Sequence, residues 1–448
     1  MQTMRPEGLL ALSDLVAKSL GPRTLRSPLG LSTTLGDEVA DYVNDDARVV
    51  MQIERREGVD PGFSHVFEKA GPRESIYFDP AKTRVGIVSC GGLCPGINNV
   101  IRSIVLELTH KYHVNHVLGF RYGFRGLDPA SDAPPVMLGP DDVLHVHRQG
   151  GSFLGLSRGR RDPSAMVDTL ERLGIDILFA IGGDGTLRGA HAIWEEIERR
   201  GRKIAIVGVP KTIDNDIEFV DKTFGYETAV EVARLAVDAA HTEALSAVNG
   251  VGIVKLMGRG AGFIAAAAAL ASHDVNYCLI PELSFDLEGP NGLLAELERR
   301  LAARGHAVIV VAEGCGEKLL RDGAERDASG NLRFSSEGLD IGTHLRDVIT
   351  KHFSARSIEA NVKYIDPSYM IRSVPANAHD SIFCDALARN AVHAGMAGKT
   401  DIVIGRMHRV FTHLPIATAV RQKKRVNLDG GLWLAVTETT GQPRLRAS

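Results

Sequence analysis

The chain has 448 residues, 44% hydrophobic and 24% charged, with a formal net charge of -3. That length exceeds one small core and predicts two lobes with room for an appendage. The balance of charge argues against generalised electrostatic binding to nucleic acid but leaves space for a local basic pocket. Apolar runs such as 265–271 are short, so none reaches the roughly 20 residues of a membrane span. No charged start followed by a long apolar stretch marks a secretory signal. Five cysteines do not make a disulfide framework, and a reducing cytoplasm is expected. Cys90 and Cys94, the only close pair, read as small packing residues.

Residues 1–80 are irregular and punctuated by Pro61-Gly62 and Gly71-Pro72, an N-terminal extension wrapped on the body of the protein. From Arg84 the pattern changes to β-branched runs, at 85–89, 175–181, 204–209, 251–256, 277–280 and 307–312. Helical stretches at 97–108, 227–244 and 262–272 lie between them. Continuous apolar runs suit strands buried on both faces, and the alternation predicts a mostly parallel α/β sheet. The expected division is a nucleotide-binding lobe over 81–246, a second lobe over 247–405, with the lobes interleaved along the chain, and a C-terminal segment over 406–448. The polar stretch 317–339 reads as a surface insertion. Ligands of such sheets sit beyond the carboxyl ends of the strands, so the loops after each run carry the chemistry.

The first of these loops, Cys90 to Asn99, contains Gly91, Gly92 and Gly96 before a helix. It fits either an anion cradle at a helix N-terminus or a tight strand-to-helix turn. It is neither a Walker A loop nor a dinucleotide fingerprint. The second, Gly150 to Arg161, concentrates four glycines and three arginines. That suits phosphate oxygens, or else a solvated basic turn. The third, Gly182-Gly183-Asp184-Gly185-Thr186, exposes a carboxylate fit for Mg²⁺ beside phosphates, with a glycine-rich turn capped by threonine as the plainer reading. The fourth, Pro210-Lys211-Thr212-Ile213-Asp214-Asn215-Asp216, offers two carboxylates two residues apart. Phosphoryl transfer to a hydroxyl needs such a proton acceptor, with cations to offset the developing charge.

Taken in this order, the four loops resemble the phosphofructokinase family, over roughly residues 84–405. The segments Tyr122-Gly123-Phe124-Arg125-Gly126, Lys255-Leu256-Met257-Gly258-Arg259, Ala312-Glu313-Gly314 and Tyr369-Met370-Ile371-Arg372 are similar to its plant and trypanosomatid ATP-dependent branch. The resemblance implies an α/β fold of two Rossmann-like lobes with mostly parallel sheets. It also implies transfer of the γ-phosphoryl of Mg·ATP to the 1-hydroxyl of fructose 6-phosphate, as an allosteric glycolytic enzyme assembled as a homodimer or homotetramer. By motif, Gly92, Arg158, Gly159, Gly183, Asp184, Gly185 and Thr186 are expected on the nucleotide, with Asp184 on Mg²⁺. Asp214 is the expected general base, with Thr212, Asp216 and Arg259 beside it. Ile213, Met257, Gly258, Arg259, Glu313, Tyr369, Met370, Ile371 and Arg372, together with Thr212 and Asp214, are expected at the sugar phosphate.

One departure stands out. Bacterial short-chain members carry an arginine seven residues before the methionine of the Met-Gly-Arg motif, and here that position is Gly250. Donor choice rests on two positions. Gly185 leaves space for the α-phosphate and nucleoside where pyrophosphate-using relatives carry aspartate. Lys211 is a residue those relatives share. Steric exclusion outweighs an added attraction, so ATP is the expected donor and pyrophosphate the alternative. A NAD-kinase-like or lipid-kinase-like enzyme is disfavoured by the Thr212–Asp216 and Met257–Arg259 motifs. A silent regulatory subunit is disfavoured by the presence of Asp184 and Asp214.

Overall fold

The computed structural model describes residues 10–53, 65–159, 161–316 and 340–445, and the backbone of two short strands, Glu325–Arg326 and Leu332–Arg333. Apart from that strand pair, the expected insertion at 317–339 lies outside the described residues, as does Arg160 of the second loop.

All six apolar runs become strands. Nine strands form the larger sheet, in the order Arg48–Val50, Val66–Lys69, Val410–Pro415, Ile402–Met407, Ala205–Pro210, Ile177–Gly182, Arg84–Ser89, His116–Phe120 and Val136–Met137. The five from Ile402–Met407 to His116–Phe120 are parallel to one another. A second sheet is wholly parallel, in the order Tyr277–Leu279, His306–Ala312, Gly250–Leu256, Asn361–Ile365. Alternate residues of a central strand serve opposite faces. Ile177, Phe179 and Ile181 join the core beneath helices Ile97–His110 and Ala378–Met396. Leu178 and Ala180 join the core beneath Pro163–Leu173 and Asp184–Arg199. Helices on both faces explain why these runs are continuous rather than alternating.

The chain passes between lobes at points other than those expected. Helix Tyr226–Leu245, placed with the nucleotide lobe, packs Ala229, Ala233, Val237 and Ala240 into the core of the second sheet. Helix Ala378–Met396 and strands Ile402–Met407 and Val410–Pro415 return to the larger sheet, so the boundary at 405/406 cuts a strand. Trp433 and Val436 then re-enter the core of the second. An apolar helix face declares that it is buried but not against which sheet.

The N-terminal extension is more than a wrapping. Arg48–Val50 and Val66–Lys69 are strands of the larger sheet, and Lys18–Ser19 pairs with Lys399–Thr400. Glu68 and Lys69 disguise that membership as polar sequence. The carboxylate of Glu68 is met inside the fold by Arg73, Lys399 and His413.

Candidate active site

In the larger sheet Ser89 lies level with Ile181, and Pro210 with Gly182. Three neighbouring parallel strands therefore end at one edge, and the loops beginning at Cys90, Gly183 and Lys211 leave side by side. They are stitched together: Cys90 N–H donates to the Ile181 carbonyl at 3.0 Å, and Lys211 N–H to that of Gly182 at 2.9 Å. The Lys211 ammonium, buried and with its proton affinity lowered by desolvation, donates to the Gly92 carbonyl at 2.7 Å. Gly96 starts the first helix at φ +99°, and a Cβ there would stand 2.6 Å from Cys384 Sγ, so only glycine makes this turn. Cys90 and Cys94 are buried and unpaired with one another, their thiols pushed up to about 12 by burial, as suits packing residues.

The second loop folds onto the first through Gly91 N–H to the Ser157 carbonyl at 3.1 Å and Phe153 N–H to Asn98 Oδ1 at 2.7 Å. Gly92, Arg158, Tyr369 and Arg372 line one cavity of about 330 Å³, together with Leu93, Ser152, Gly155 and Leu156. The sequence had separated Gly92 and Arg158 from Tyr369 and Arg372 as different subsites; the fold brings them together. Tyr369 and Arg372 stand three apart on helix Ser368–Ser373, with the guanidinium 4.5 Å from the ring centroid. Ile371 faces the opposite way and is fully buried in the core, and Met370 is exposed. Neither side chain lines the cavity. Thr186 is likewise buried, turned in against Gly182.

Asp184 opens helix Asp184–Arg199 and pairs with Arg188 at 3.2 Å. Among the described residues no group of three or more His, Cys, Asp or Glu side chains forms a metal cage. A single carboxylate fits a hard cation that takes its other oxygens from phosphates and water. A Cβ built on Gly185 or Gly159 meets nothing within 4 Å.

The second sheet presents its own edge. Leu256 pairs with Ala312, so Met257-Gly258-Arg259 and Glu313 follow from neighbouring strand ends. Arg259 Nε is 3.5 Å from Glu313 Oε1. Gly258, at φ +130°, has no room for a Cβ, which would lie 2.5 Å from the Ala261 carbonyl oxygen. Met257 packs in the core of this lobe, and Ile213 packs against the cores of both. The two edges meet where Arg259 N–H approaches Asp214 Oδ2 at 3.4 Å. At Gly250 a Cβ would collide with the Ala244 carbonyl, so this backbone admits no arginine there.

Asp214 has its carboxyl pushed up to about 7, chiefly by burial and then by the charges of Asp216 and Glu313; Arg259 N–H and Lys423 oppose them. Asp216 is better served. It accepts from Thr212 Oγ1 at 2.7 Å and pairs with Lys423 Nζ at 2.8 Å. Lys423 is a residue that motif reasoning missed; its only sequence signal is the basic run Arg421-Gln422-Lys423-Lys424-Arg425.

This arrangement has known counterparts. The family model described as Phosphofructokinase matches residues 84–395. The chain is 49% identical over 438 residues to an ATP-dependent 6-phosphofructokinase of Borreliella burgdorferi, covering 96% of this chain and 97% of that protein. It is 47% identical over 376 residues to one of Trypanosoma brucei brucei, covering 83% and 76%. In fold it resembles a pyrophosphate-dependent phosphofructokinase of Marinobacter aquaeolei, at 20% identity and a TM-score of 0.63, covering 82% and 92%. With the family's motifs gathered at the carboxyl ends of parallel strands in two sheets, and the family model spanning most of the chain, the protein belongs to the phosphofructokinase family.

Proposed function

We propose that this protein is an ATP-dependent 6-phosphofructokinase, which converts fructose 6-phosphate and ATP to fructose 1,6-bisphosphate and ADP. The carrying observation is the junction of Asp214, on the larger sheet, with the Arg259 loop of the second. It sets a proton acceptor between a donor edge and an acceptor edge. The near-full-length similarity to ATP-dependent relatives supports the same reading.

In this reading Asp214 takes the proton of the sugar 1-hydroxyl as its oxygen attacks the γ-phosphorus and ADP leaves. The raised proton affinity of Asp214 suits a base that works near neutral pH. Thr212 and Asp216 hold the catalytic loop, Arg259 and Glu313 orient the sugar phosphate, and Gly92, Arg158, Gly159 and Gly183 border the donor. Asp184 would hold Mg²⁺, which supplies the positive charge that the transferring phosphoryl group calls for. Arg372 and Tyr369, sharing a cavity with Arg158, sit where donor and acceptor phosphates would approach one another.

ATP is the assigned donor because the space at Gly185 is open, while the ammonium of Lys211 is committed to a main-chain carbonyl. A cytoplasmic homodimer or homotetramer completes the reading. Unpaired cysteines agree with it, and no helix among the described residues is long and apolar enough to cross a membrane. The test is turnover of fructose 6-phosphate with ATP and with pyrophosphate supplied separately. Product with ATP and negligible product with pyrophosphate is expected. Turnover with pyrophosphate equal to or above that with ATP would overturn the donor assignment, and none with either would overturn the activity.

A further inference from the structure

The strap between helices Ile416–Ala419 and Gly431–Thr440 is fastened to elements of both lobes. Lys424 N–H donates to the Asp216 carbonyl at 3.0 Å, and Lys423 forms a β-bridge with Ile217. Lys424 Nζ reaches the Val220 carbonyl at 2.6 Å. At the far side Val426 N–H donates to Glu282 Oε1 at 2.8 Å, and Glu282 in turn accepts from Gly262 N–H at 3.0 Å. The strap is thereby tied to the catalytic loop of the larger sheet and to the start of helix Phe263–Ser272 on the second.

These anchors fix where Lys423 points. Its stem passes Gly260, whose added Cβ would lie 3.5 Å from Lys423 Cδ, and its ammonium meets Asp216 Oδ2 at 2.8 Å. The other oxygen of Asp216 accepts from Thr212 Oγ1, and that same hydroxyl accepts from Asp214 N–H at 3.3 Å. A continuous chain of contacts therefore joins Lys423 to the backbone of Asp214. Asp184, Asp214, Asp216 and Glu313 place four acids where an anionic donor has to meet an anionic acceptor. Arg259 is engaged with Glu313, which leaves Asp216 to Lys423.

We infer that Lys423 is a positioning residue for phosphoryl transfer, clamping Asp216 so that the Thr212–Asp214 loop is held in working geometry and its negative charge is offset. The inference rests on the proposed phosphofructokinase activity. An ordinary exposed ion pair contributes little to anything measurable, so the two accounts differ in outcome.

The full chain carrying Lys423→Ala or Lys423→Arg is assayed with fructose 6-phosphate and Mg·ATP, alongside thermal unfolding. For Lys423→Ala, kcat is expected to fall on the order of tenfold or more, the scale of one charge-assisted hydrogen bond. The KM for fructose 6-phosphate and the unfolding temperature should stay close to wild type. Lys423→Arg, and ethylammonium added to Lys423→Ala, are each expected to recover part of the lost kcat. Arg425→Ala, on the same strap, is expected to leave kcat unchanged. A Lys423→Ala kcat within about twofold of wild type overturns the inference. So does a loss that neither arginine nor ethylammonium restores and that accompanies a lowered unfolding temperature. Inactive wild-type protein would instead count against the proposed function itself.

Discussion

Two acids in this molecule start from similar circumstances and end far apart. Burial raises the proton affinity of both Glu68 and Asp214. Around Glu68, however, the fold collects two cations and an imidazole: Lys399 Nζ at 2.7 Å, Arg73 at 3.0 Å and His413 Nδ1 at 3.1 Å. Against the pull of burial, His413 and Lys399 hold its carboxyl far below the usual range. Asp214 meets more acids instead, Asp216 and Glu313, with only an amide and a more distant ammonium to oppose them. A compensated buried carboxylate ties elements together; an uncompensated one at the mouth of a cleft keeps a proton affinity suited to chemistry. In the proposed mechanism one cluster belongs to the structure and the other to the reaction, and substitutions should separate them.

A large difference should come from Asp184→Ala, which removes the carboxylate assigned to Mg²⁺. Turnover is expected to drop on the order of 10³-fold, the scale of losing a cation's stabilisation of transferred charge, while the unfolding temperature stays near wild type. Recovery with modest extra Mg²⁺ would move Asp184 to an outer shell. Glu68→Gln should do the reverse. Removing one partner of a buried ion pair costs on the order of 3 kcal/mol, read as a lower urea midpoint, with kcat and both KM values kept. A Glu68→Gln protein that is stable but inactive would break the comparison.

Arg259→Ala should raise the KM for fructose 6-phosphate about tenfold, the scale of a lost charged hydrogen bond, and move that for ATP much less. Equal shifts in both would assign Arg259 a structural role. The smallest effect is in pH. Because the Asp214 carboxyl is raised to about 7, kcat/KM should fall roughly tenfold between pH 8 and pH 6 as the base is protonated. Opposite shifts give opposite linkage at the two sites. The folded chain holds a proton on Asp214 at pH values where the unfolded chain has released it. Its contribution to stability therefore declines as pH rises from 3.8 towards 7. The contribution of Glu68 is present above 4.5 and is lost as pH falls below it.

What the sequence disclosed follows from where each signal is written. The strands were legible because burial on both faces leaves an unbroken apolar run, as at Ile177–Gly182. The loops at the sheet edge were legible because they begin directly after such runs, at Cys90, Gly183 and Lys211. Position in space was not. Val66–Lys69 looks polar because the partners of Glu68 arrive from residues 399 and 413. Helix Tyr226–Leu245 has an apolar face that names no sheet. Lys423 reaches Asp216 across 207 residues with only a basic run to mark it. Arg372 shares a cavity with Arg158 because the end of helix Ser368–Ser373 abuts Gly150 of the second loop, which no local pattern encodes.

The account stands most directly on Asp214, and Asp214→Asn keeps nearly the same shape while removing the proton acceptor. Measured at pH 8 with fructose 6-phosphate and Mg·ATP, its kcat should fall on the order of 10²–10⁴-fold, the usual worth of a general base. Substrate KM values should change little. Resistance to unfolding should be equal to wild type or higher, because an uncompensated charge has been removed. A variant that retained more than about half the wild-type kcat would contradict the assignment of Asp214 as the base.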